Sequence, residues 1–380
     1  MPWSGSFEAD PTSHRTRTAV TTPTGQTESK PRARDNSNIA SFGVIPRPRQ
    51  LREEYAPDED RLDTVARGRD EVIAALAGDD DRMVVVVGPC SIHDRELALD
   101  YAGRLREVAE QHAGELIIIM RTYFEKPRTS VGWKGLIYDP SLDGSSDAAR
   151  GLRTARQVLL DVTGMGLPCA VEILDTITPQ YYSDLVSWAA IGARTVESQV
   201  HRQLASGSSM PIGFKNATDG RVGVAINALS AAIAPHAFFG VDEEGQSSVV
   251  RTTGNPASHI VLRGGDNGPN YSREHVEDAV KRARAVVDHD RPVIIDCSHG
   301  NSGKDHTRQA VVVDDLLEQW RQPDHGLLGL MLESNLHPGR QDWEPGRHLE
   351  HGVSITDACV GWDETVALLE RCAAAVTDLR

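Results

Sequence analysis

From Met83 onward, short apolar runs rich in β-branched residues alternate with longer stretches whose apolar positions recur every three or four residues. The runs cover 83–87, 116–120, 169–174, 188–193, 211–214, 259–262, 292–295 and 327–332. Runs this short, bounded by turn residues, predict buried strands, and the three-to-four spacing predicts amphipathic helix. Helices are predicted over 96–111, 147–162, 179–186, 200–205, 222–234, 273–288 and 307–320, with a last one over 363–379. Strands apolar on both faces, each followed by a helix, form parallel β-α units. Eight such units close a (β/α)8 barrel, so the expected class is α/β, a TIM barrel over 83–380. An open doubly wound sheet is the alternative.

Two regions depart from the rhythm. Residues 238–253 carry two β-rich arms around Asp242-Glu243-Glu244-Gly245-Gln246, which predicts an inserted β-hairpin near 236–254. Residues 1–37 are rich in Ser, Thr, Pro and Arg without apolar periodicity, which predicts a disordered tail. Between tail and barrel, 38–82 reads as an N-terminal extension, with a short strand over 38–45 and a helix over 60–77.

The polar residues that follow the runs carry the chemistry. The first run leads into Gly88-Pro89-Cys90 and the second ends at Arg121. The third carries Glu172, the fourth ends at Arg194, the fifth at Lys215 and the sixth at Arg263. The seventh leads through Asp296 to His299, and the eighth reaches Glu333. In an α/β barrel these exits share one mouth, where sites are built. Any one of these cations alone is as well explained by a structural ion pair; eight polar exits at one end are not. Cys90, His299 and Glu333, with Asp357 in the loop after the eighth run, offer sulfur, nitrogen and oxygen donors. That mixture suits Mn, Fe, Co, Zn or Cu over Mg or Ca.

Charge sharpens this picture. The formal net charge is −15, a surface that repels nucleic acid and anionic membranes. A cluster of cations in the mouth of such a protein is a local site for anions. No apolar run approaches the roughly 18–20 residues of a membrane span. There is no charged-then-apolar leader pattern, and the five cysteines form no C-x-x-C pair. A cytoplasmic, reducing location is therefore expected. Gly300–Lys304 fails the phosphate-loop spacing, and the HExxH and GxSxG signatures are absent.

From Asn38 to the C-terminus, the chain closely resembles the type I 3-deoxy-D-arabino-heptulosonate 7-phosphate (DAHP) synthases typified by the enteric enzymes. The motifs are GPCSIHD (88–94), RTYFEKPRTSVGWKGL (121–136), ITPQY (177–181), GARTVESQVHR (192–202), GFKNATDG (213–220), VLRGG (261–265), DCSHGNSGK (296–304) and SITDACVGW (354–362). The resemblance implies a metal-dependent condensation of phosphoenolpyruvate with erythrose 4-phosphate to DAHP and phosphate, the first step of the shikimate pathway. It implies Cys90, His299, Glu333 and Asp357 as metal ligands, and Arg121, Arg194, Lys215 and Arg263 as the phosphoenolpyruvate clamp. Glu172 is implied near the reacting carbon through water, and Lys126, Pro127, Arg128 and Thr129 as the erythrose-phosphate loop. Lys126 is the candidate proton donor, with Glu172 and Asp357 the other catalytic candidates.

The resemblance further implies a homodimer or homotetramer, and an inhibitor site between the extension, the ITPQ region, the stretch 204–209 and the hairpin. Its candidate residues are Pro179, Gln180, Leu204, Ser209, Phe238, Gly240 and Val250. Gly240 stands where glycine accompanies tyrosine control and serine phenylalanine control. Thr176 and Ser208 differ from the phenylalanine-regulated pattern, which leaves a desensitised form open. The runner-up is a relative that condenses phosphoenolpyruvate with another aldose phosphate, such as arabinose 5-phosphate. A non-catalytic regulatory barrel is the reading from a different class.

Overall fold

Alternate residues of each long strand belong to two different apolar clusters. Val84, Val86, Ile117, Ile119, Ala170, Trp188, Ala190, Val261, Ile294 and Met331 share one cluster, and Val85, Val87, Ile118, Met120, Val171, Ala189 and Ile295 share the other. Side chains of a strand alternate between its faces, so a sheet apolar on both faces must be covered on both. The computed structural model, which describes residues 35–36, 38–344 and 346–379, shows how.

Eight strands close a parallel barrel: β1 (Met83–Gly88), β2 (Leu116–Arg121), β3 (Cys169–Glu172), β4 (Trp188–Ile191), β5 (Ile212–Lys215), β8 (Ser258–Leu262), β9 (Val293–Asp296) and β10 (Leu327–Glu333). Around the barrel the order is β1-β10-β9-β8-β5-β4-β3-β2. The inner cluster fills the barrel, and the outer cluster joins the strands to the helices. The remaining strands, β6 (Ala237–Val241) and β7 (Ser247–Arg251), pair antiparallel as the expected hairpin. Asp242 Oδ1 accepts from the backbone N–H groups of Glu244 (3.0 Å) and Gln246 (2.9 Å), which closes the turn.

The helices are α1 (Pro48–Glu54), α2 (Glu59–Ala77), α3 (Arg95–Gln111), α4 (Ala148–Gly164), α5 (Pro179–Tyr182), α6 (Gln199–Ser206), α7 (Gly223–Ala232), α8 (Arg273–Arg284), α9 (Gln309–Trp320) and α10 (Trp362–Thr377). Their starts follow local chemistry. Asp58, Asp94 and Asp147 cap α2, α3 and α4, accepting from Arg61, Leu97 and Arg150 N–H respectively. Each such cap contributes about 1 kcal/mol.

The extension is not separate from the barrel. Val72, Ala75 and Leu76 of α2 belong to the inner cluster, so this helix covers the N-terminal end of the strands. From Ile45 onward the chain is one compact unit. At the register shift in β10, a Cβ on Gly329 would sit 1.8 Å from the Val84 carbonyl oxygen, so only glycine fits there.

Three expectations need revision. Residues 38–45 form no strand; Ile39, Phe42 and Val44 stay exposed, Phe42 at 79% and Val44 at 99%, and only Ile45 is half-buried. A strand needs a ladder partner, and none of the described strands pairs with this stretch. Helix α1 was not expected, because seven residues give no measurable period and no stable isolated helix. Tertiary contacts specify it: Arg49 N–H donates to the Glu243 carbonyl at 2.8 Å, and Leu51 is fully buried. The helix expected over 179–186 is one short α-helical turn followed by the 3-10 turn Ser183–Leu185. The tail expected over 1–37 lies outside the described residues, apart from Asp35 and Asn36. No helix among the described residues is long and apolar enough to cross a membrane.

Candidate active site

Extending the strand alternation to the C-terminal ends turns Gly88, Arg121, Glu172, Lys215, Arg263, Asp296 and Glu333 toward the barrel axis. Register makes neighbours of two of them, Gly88 and Glu333, and sets Asp296 beside Met331, two residues before Glu333. Above this layer the β-α loops enclose a cavity of about 540 Å³.

One wall carries the donor atoms. Single ligand atoms of Cys90, Glu333 and Asp357 all lie within 4.8 Å of one another. The Cys90 thiol donates to Asp357 Oδ2 at 3.5 Å. His299 Nε2 lies 3.8 Å from Glu333 Oε1. Its other nitrogen, Nδ1, is 3.0 Å from Asp296 Oδ2 and 2.7 Å from Ser298 Oγ. A carboxylate behind one imidazole nitrogen is the arrangement that aims the other at an ion. His299 adopts φ of 54°, a left-handed conformation uncommon for a non-glycine residue.

The electrostatics fit a divalent cation. Burial first, then the Glu333 and Asp357 carboxylates, push the Cys90 thiol up to about 12, against Lys126 and Arg121. Burial works against ionised Asp357, but Lys126, His299 and the Cys90 thiol hold it below the usual carboxylate range. Two carboxylates beside a thiol that keeps its proton form a donor set that a cation could bind by displacing that proton, with His299 adjoining through Glu333.

The remaining wall is cationic. Lys215 Nζ pairs with Asp296 Oδ2 at 2.8 Å, with both side chains buried. Burial opposes the Asp296 charge, yet His299 and Lys215 hold it well below the carboxylate range. Arg263 is placed by its backbone N–H, which donates to Asn216 Oδ1 at 2.8 Å, while its Nη1 donates to the Gly264 carbonyl. Arg194 Nη2 donates to Thr129 Oγ1 at 3.5 Å, and Arg128 Nε to the Trp133 carbonyl at 2.6 Å. Among the described residues, Arg128, Arg194 and Arg263 have no carboxylate within 4.0 Å. Unpaired cations converging on one cavity of an acidic protein make an anion site.

Lys126 joins the two walls. Its Nζ lies 3.1 Å from both Cys90 Sγ and the Cys90 carbonyl oxygen. Burial works against its charge, but Cys90, Glu333, Asp357 and Glu172 together raise its pKa, so it stays protonated. Glu172 stands at the end of β3, and an ideal Cβ on Gly192 would lie 2.2 Å from its Oε1. The glycine is what leaves room for that carboxylate.

Lys126, Pro127, Arg128, Glu172, Arg194, Lys215, Arg263, His299, Glu333 and Asp357 all line the cavity. Cys90, Arg121 and Thr129 do not. Arg121 lies beneath it, with Nη2 on Glu333 Oε1 at 3.1 Å. The lining also includes Lys304, His306 and Arg340, which sequence reasoning did not assign. Lys304 belongs to the Gly300–Lys304 segment, whose position directly after His299 was the available signal; Arg340 carried none.

Glu125, next to Lys126, is buried against Asp175. Its carboxylate accepts from Leu174 and Asp175 N–H and from Thr178 Oγ1. Burial first, then the Asp175 charge, raise its pKa from 4.5 to about 8. The native state therefore keeps a proton that the unfolded chain releases between those two values. The stability this group contributes is complete below about pH 4.5 and is lost as pH rises through about 8. In Glu125→Gln that loss is expected to disappear. Wild type should lose about 1–3 kcal/mol relative to the variant between about pH 5 and pH 8. Denaturant melts at both pH values check this, and a constant difference would contradict it.

A second cavity, about 390 Å³, lies between the hairpin and helix α6 and is lined by Leu204, Phe238 and Gly240 together with Thr176, Ile177 and Val200. Pro179, Gln180, Ser209 and Val250 lie outside its lining. Val250 pairs with Phe238, and its Cγ2 would be 2.9 Å from a Cβ on Gly240, so glycine there relieves crowding within the hairpin.

The chain is similar to known proteins over most of its length. A model of the DAHP synthetase I family matches residues 60–370. The Phe-sensitive phospho-2-dehydro-3-deoxyheptonate aldolase of Escherichia coli K12 is 50% identical over 342 residues, covering 90% of this chain and 97% of that one. The Tyr-sensitive enzyme of the same organism is 48% identical over 339 residues, covering 89% and 94%. The solved phospho-2-dehydro-3-deoxyheptonate aldolase of Francisella tularensis superposes with a TM-score of 0.87 at 48% identity, covering 90% of this chain and all of that one.

Proposed function

This chain belongs to the DAHP synthetase I family, and from that premise we infer that its barrel mouth condenses phosphoenolpyruvate with erythrose 4-phosphate. The products are DAHP and inorganic phosphate, the first step of the shikimate pathway. The observation that carries this reading is the single cavity in which unpaired cations face the Cys90, Glu333 and Asp357 donor set.

Phosphoenolpyruvate carries a carboxylate and a phosphate. Arg121, Arg194, Lys215 and Arg263 bind them, the planar guanidinium groups as forks and the lysine as a point charge. Lys126, Pro127, Arg128 and Thr129 receive the aldose phosphate. Two anions repel each other, so these cations offset that repulsion as well as fixing the approach. C3 of phosphoenolpyruvate forms a bond to the aldehyde carbon, and the aldehyde oxygen takes the electron pair. Lys126, held protonated by its anionic neighbours, gives a proton to that oxygen. Glu172 orients the water that adds at C2, after which the phosphate departs from the hemiketal. Cys90, His299, Glu333 and Asp357 would hold one divalent ion, which when bound supplies Lewis-acid polarisation of the aldehyde oxygen. The mixed donors favour Mn, Fe, Co, Zn or Cu for that ion.

The decisive assay follows loss of phosphoenolpyruvate absorbance with either erythrose 4-phosphate or arabinose 5-phosphate, with chelator and with metal added back. Turnover with the shorter aldose that depends on metal supports this reading. Preference for arabinose 5-phosphate supports the related synthase, and no turnover supports a regulatory barrel.

An aromatic amino acid effector fits the relatives, whose names include both Tyr- and Phe-sensitive forms at similar identity. Overall similarity therefore does not choose between them. The glycine at 240 in the wall of the second cavity is the local feature that favours tyrosine. Tyrosine is expected to inhibit at least about ten-fold more strongly than phenylalanine in initial-rate assays; this figure is an order-of-magnitude expectation for one well-placed hydrogen bond. Inhibition by phenylalanine alone would contradict it. A homodimer or homotetramer is expected by light scattering. Five buried, unpaired cysteines fit a reducing, cytoplasmic compartment.

A further inference from the structure

Tyr123 follows β2 by two residues and turns its ring into the barrel interior, in the same cluster as Val86, Ile119 and Ala170. It is 1% exposed. The guanidinium carbon of Arg121 lies 4.0 Å above the centre of its ring. Such a cation–π contact sets the plane of the guanidinium as well as holding it in place.

Two polar atoms of this stack are buried without a partner: Arg121 Nη1 and the Tyr123 hydroxyl. The rest of the guanidinium is engaged, Nε with the Pro89 carbonyl at 3.5 Å and Nη2 with Glu333 at 3.1 Å. A buried hydroxyl with no partner is destabilising, and phenylalanine would fill the same space without that cost. The charges that face the hydroxyl are Arg121, Lys126, Glu172 and Asp296, all of them in the site layer. Burial raises the phenol above its usual pKa despite Arg121, so the hydroxyl keeps its proton and acts as a donor. Tyr123 and Arg121 thus present two unused donors within one cation–π stack, among the charged residues of a site built for an anion.

We propose that Tyr123 is a substrate-binding residue whose hydroxyl, paired with Arg121 Nη1, closes on an anionic oxygen of phosphoenolpyruvate. The ring seats the guanidinium, and the hydroxyl supplies the second donor. This inference rests on the substrate assigned under Proposed function. It departs from a purely structural role in one respect. A structural hydroxyl would stabilise the free protein, whereas this one stabilises only the complex.

The test is Tyr123→Phe, with phosphoenolpyruvate binding to the metal-loaded protein followed by calorimetry in the absence of the aldose. The free variant is expected to melt at the wild-type temperature or above it. Its Kd for phosphoenolpyruvate is expected to rise about ten-fold, equivalent to about 1.4 kcal/mol. The KM for erythrose 4-phosphate, which binds elsewhere, should stay within about two-fold of wild type. Tyr123→Leu, which also removes the seat of the guanidinium, should weaken phosphoenolpyruvate further. An unchanged Kd in Tyr123→Phe would overturn the proposal. So would a lowered melting temperature with an unchanged Kd, which would assign the hydroxyl to a trapped structural water. If wild type itself binds no phosphoenolpyruvate, the substrate assignment fails too; if wild type binds and the variant binds equally, this inference fails alone.

Discussion

Replacing Cys90 with serine is expected to lower kcat by on the order of 10³ and to strip the protein of tightly held metal. The magnitude follows from the role. Lewis-acid stabilisation of charge developing on an aldehyde oxygen is worth several kcal/mol, about 4 kcal/mol being three decades of rate. Sulfur is the soft donor of the set, and a serine hydroxyl at neutral pH is a poor replacement for thiolate. The fold should survive. Cys90 is buried between Lys126 and Asp357, two groups that can hydrogen-bond a hydroxyl in its place. Metal content after dialysis, the melting temperature and kcat with metal added back check this together. A metal-loaded serine variant within about ten-fold of the wild-type rate would remove the sulfur from the chemistry.

The second large effect is expected at Lys126. Lys126→Met keeps the length and apolar body of the side chain but deletes the proton and the charge. A positioned general acid contributes about 10² to 10⁴ in rate, so kcat should fall by that factor. The loss should be in kcat more than in the KM for phosphoenolpyruvate, because four other cations hold that substrate. The same change leaves Asp357 and the Cys90 sulfur without their nearest positive charge, so metal affinity should rise or hold. Single-turnover kinetics with saturating metal separates the two effects. A variant that turns over at the wild-type rate would exclude Lys126 as the proton donor.

The parts of this molecule that were legible in the sequence are those governed by short periods. Strand runs and helix spacing located the eight barrel strands, and the polar residue at each exit followed from the rule that barrel sites lie at strand C-termini. The hairpin was legible because two β-rich arms flank a turn built on Asp242 and Gly245. Features set by tertiary contact were not. Helix α1 exists through its bond to the hairpin turn, Arg49 N–H on the Glu243 carbonyl, and through the anchoring of the residues just before it, where the Tyr181 hydroxyl donates to the Pro46 carbonyl at 2.8 Å. The stretch 38–45 has the composition of a strand but no edge to join. Within the site, residue types were legible while depth was not. Arg121 and Lys215 read alike along the chain, yet Arg121 lies below the cavity on Tyr123 whereas Lys215 lines it. Arg340 enters the lining through a loop with no periodic signal at all.

X-ray absorption at the metal edge of the cobalt- or zinc-loaded protein is the most direct measurement of whether the donor wall is a metal centre. One sulfur at about 2.3 Å, with nitrogen and oxygen neighbours at about 2.0–2.2 Å, is the predicted shell, and the sulfur signal should vanish in Cys90→Ser. A wild-type shell of oxygen and nitrogen alone would place the ion away from Cys90 and contradict the convergence of Cys90, His299, Glu333 and Asp357 on it.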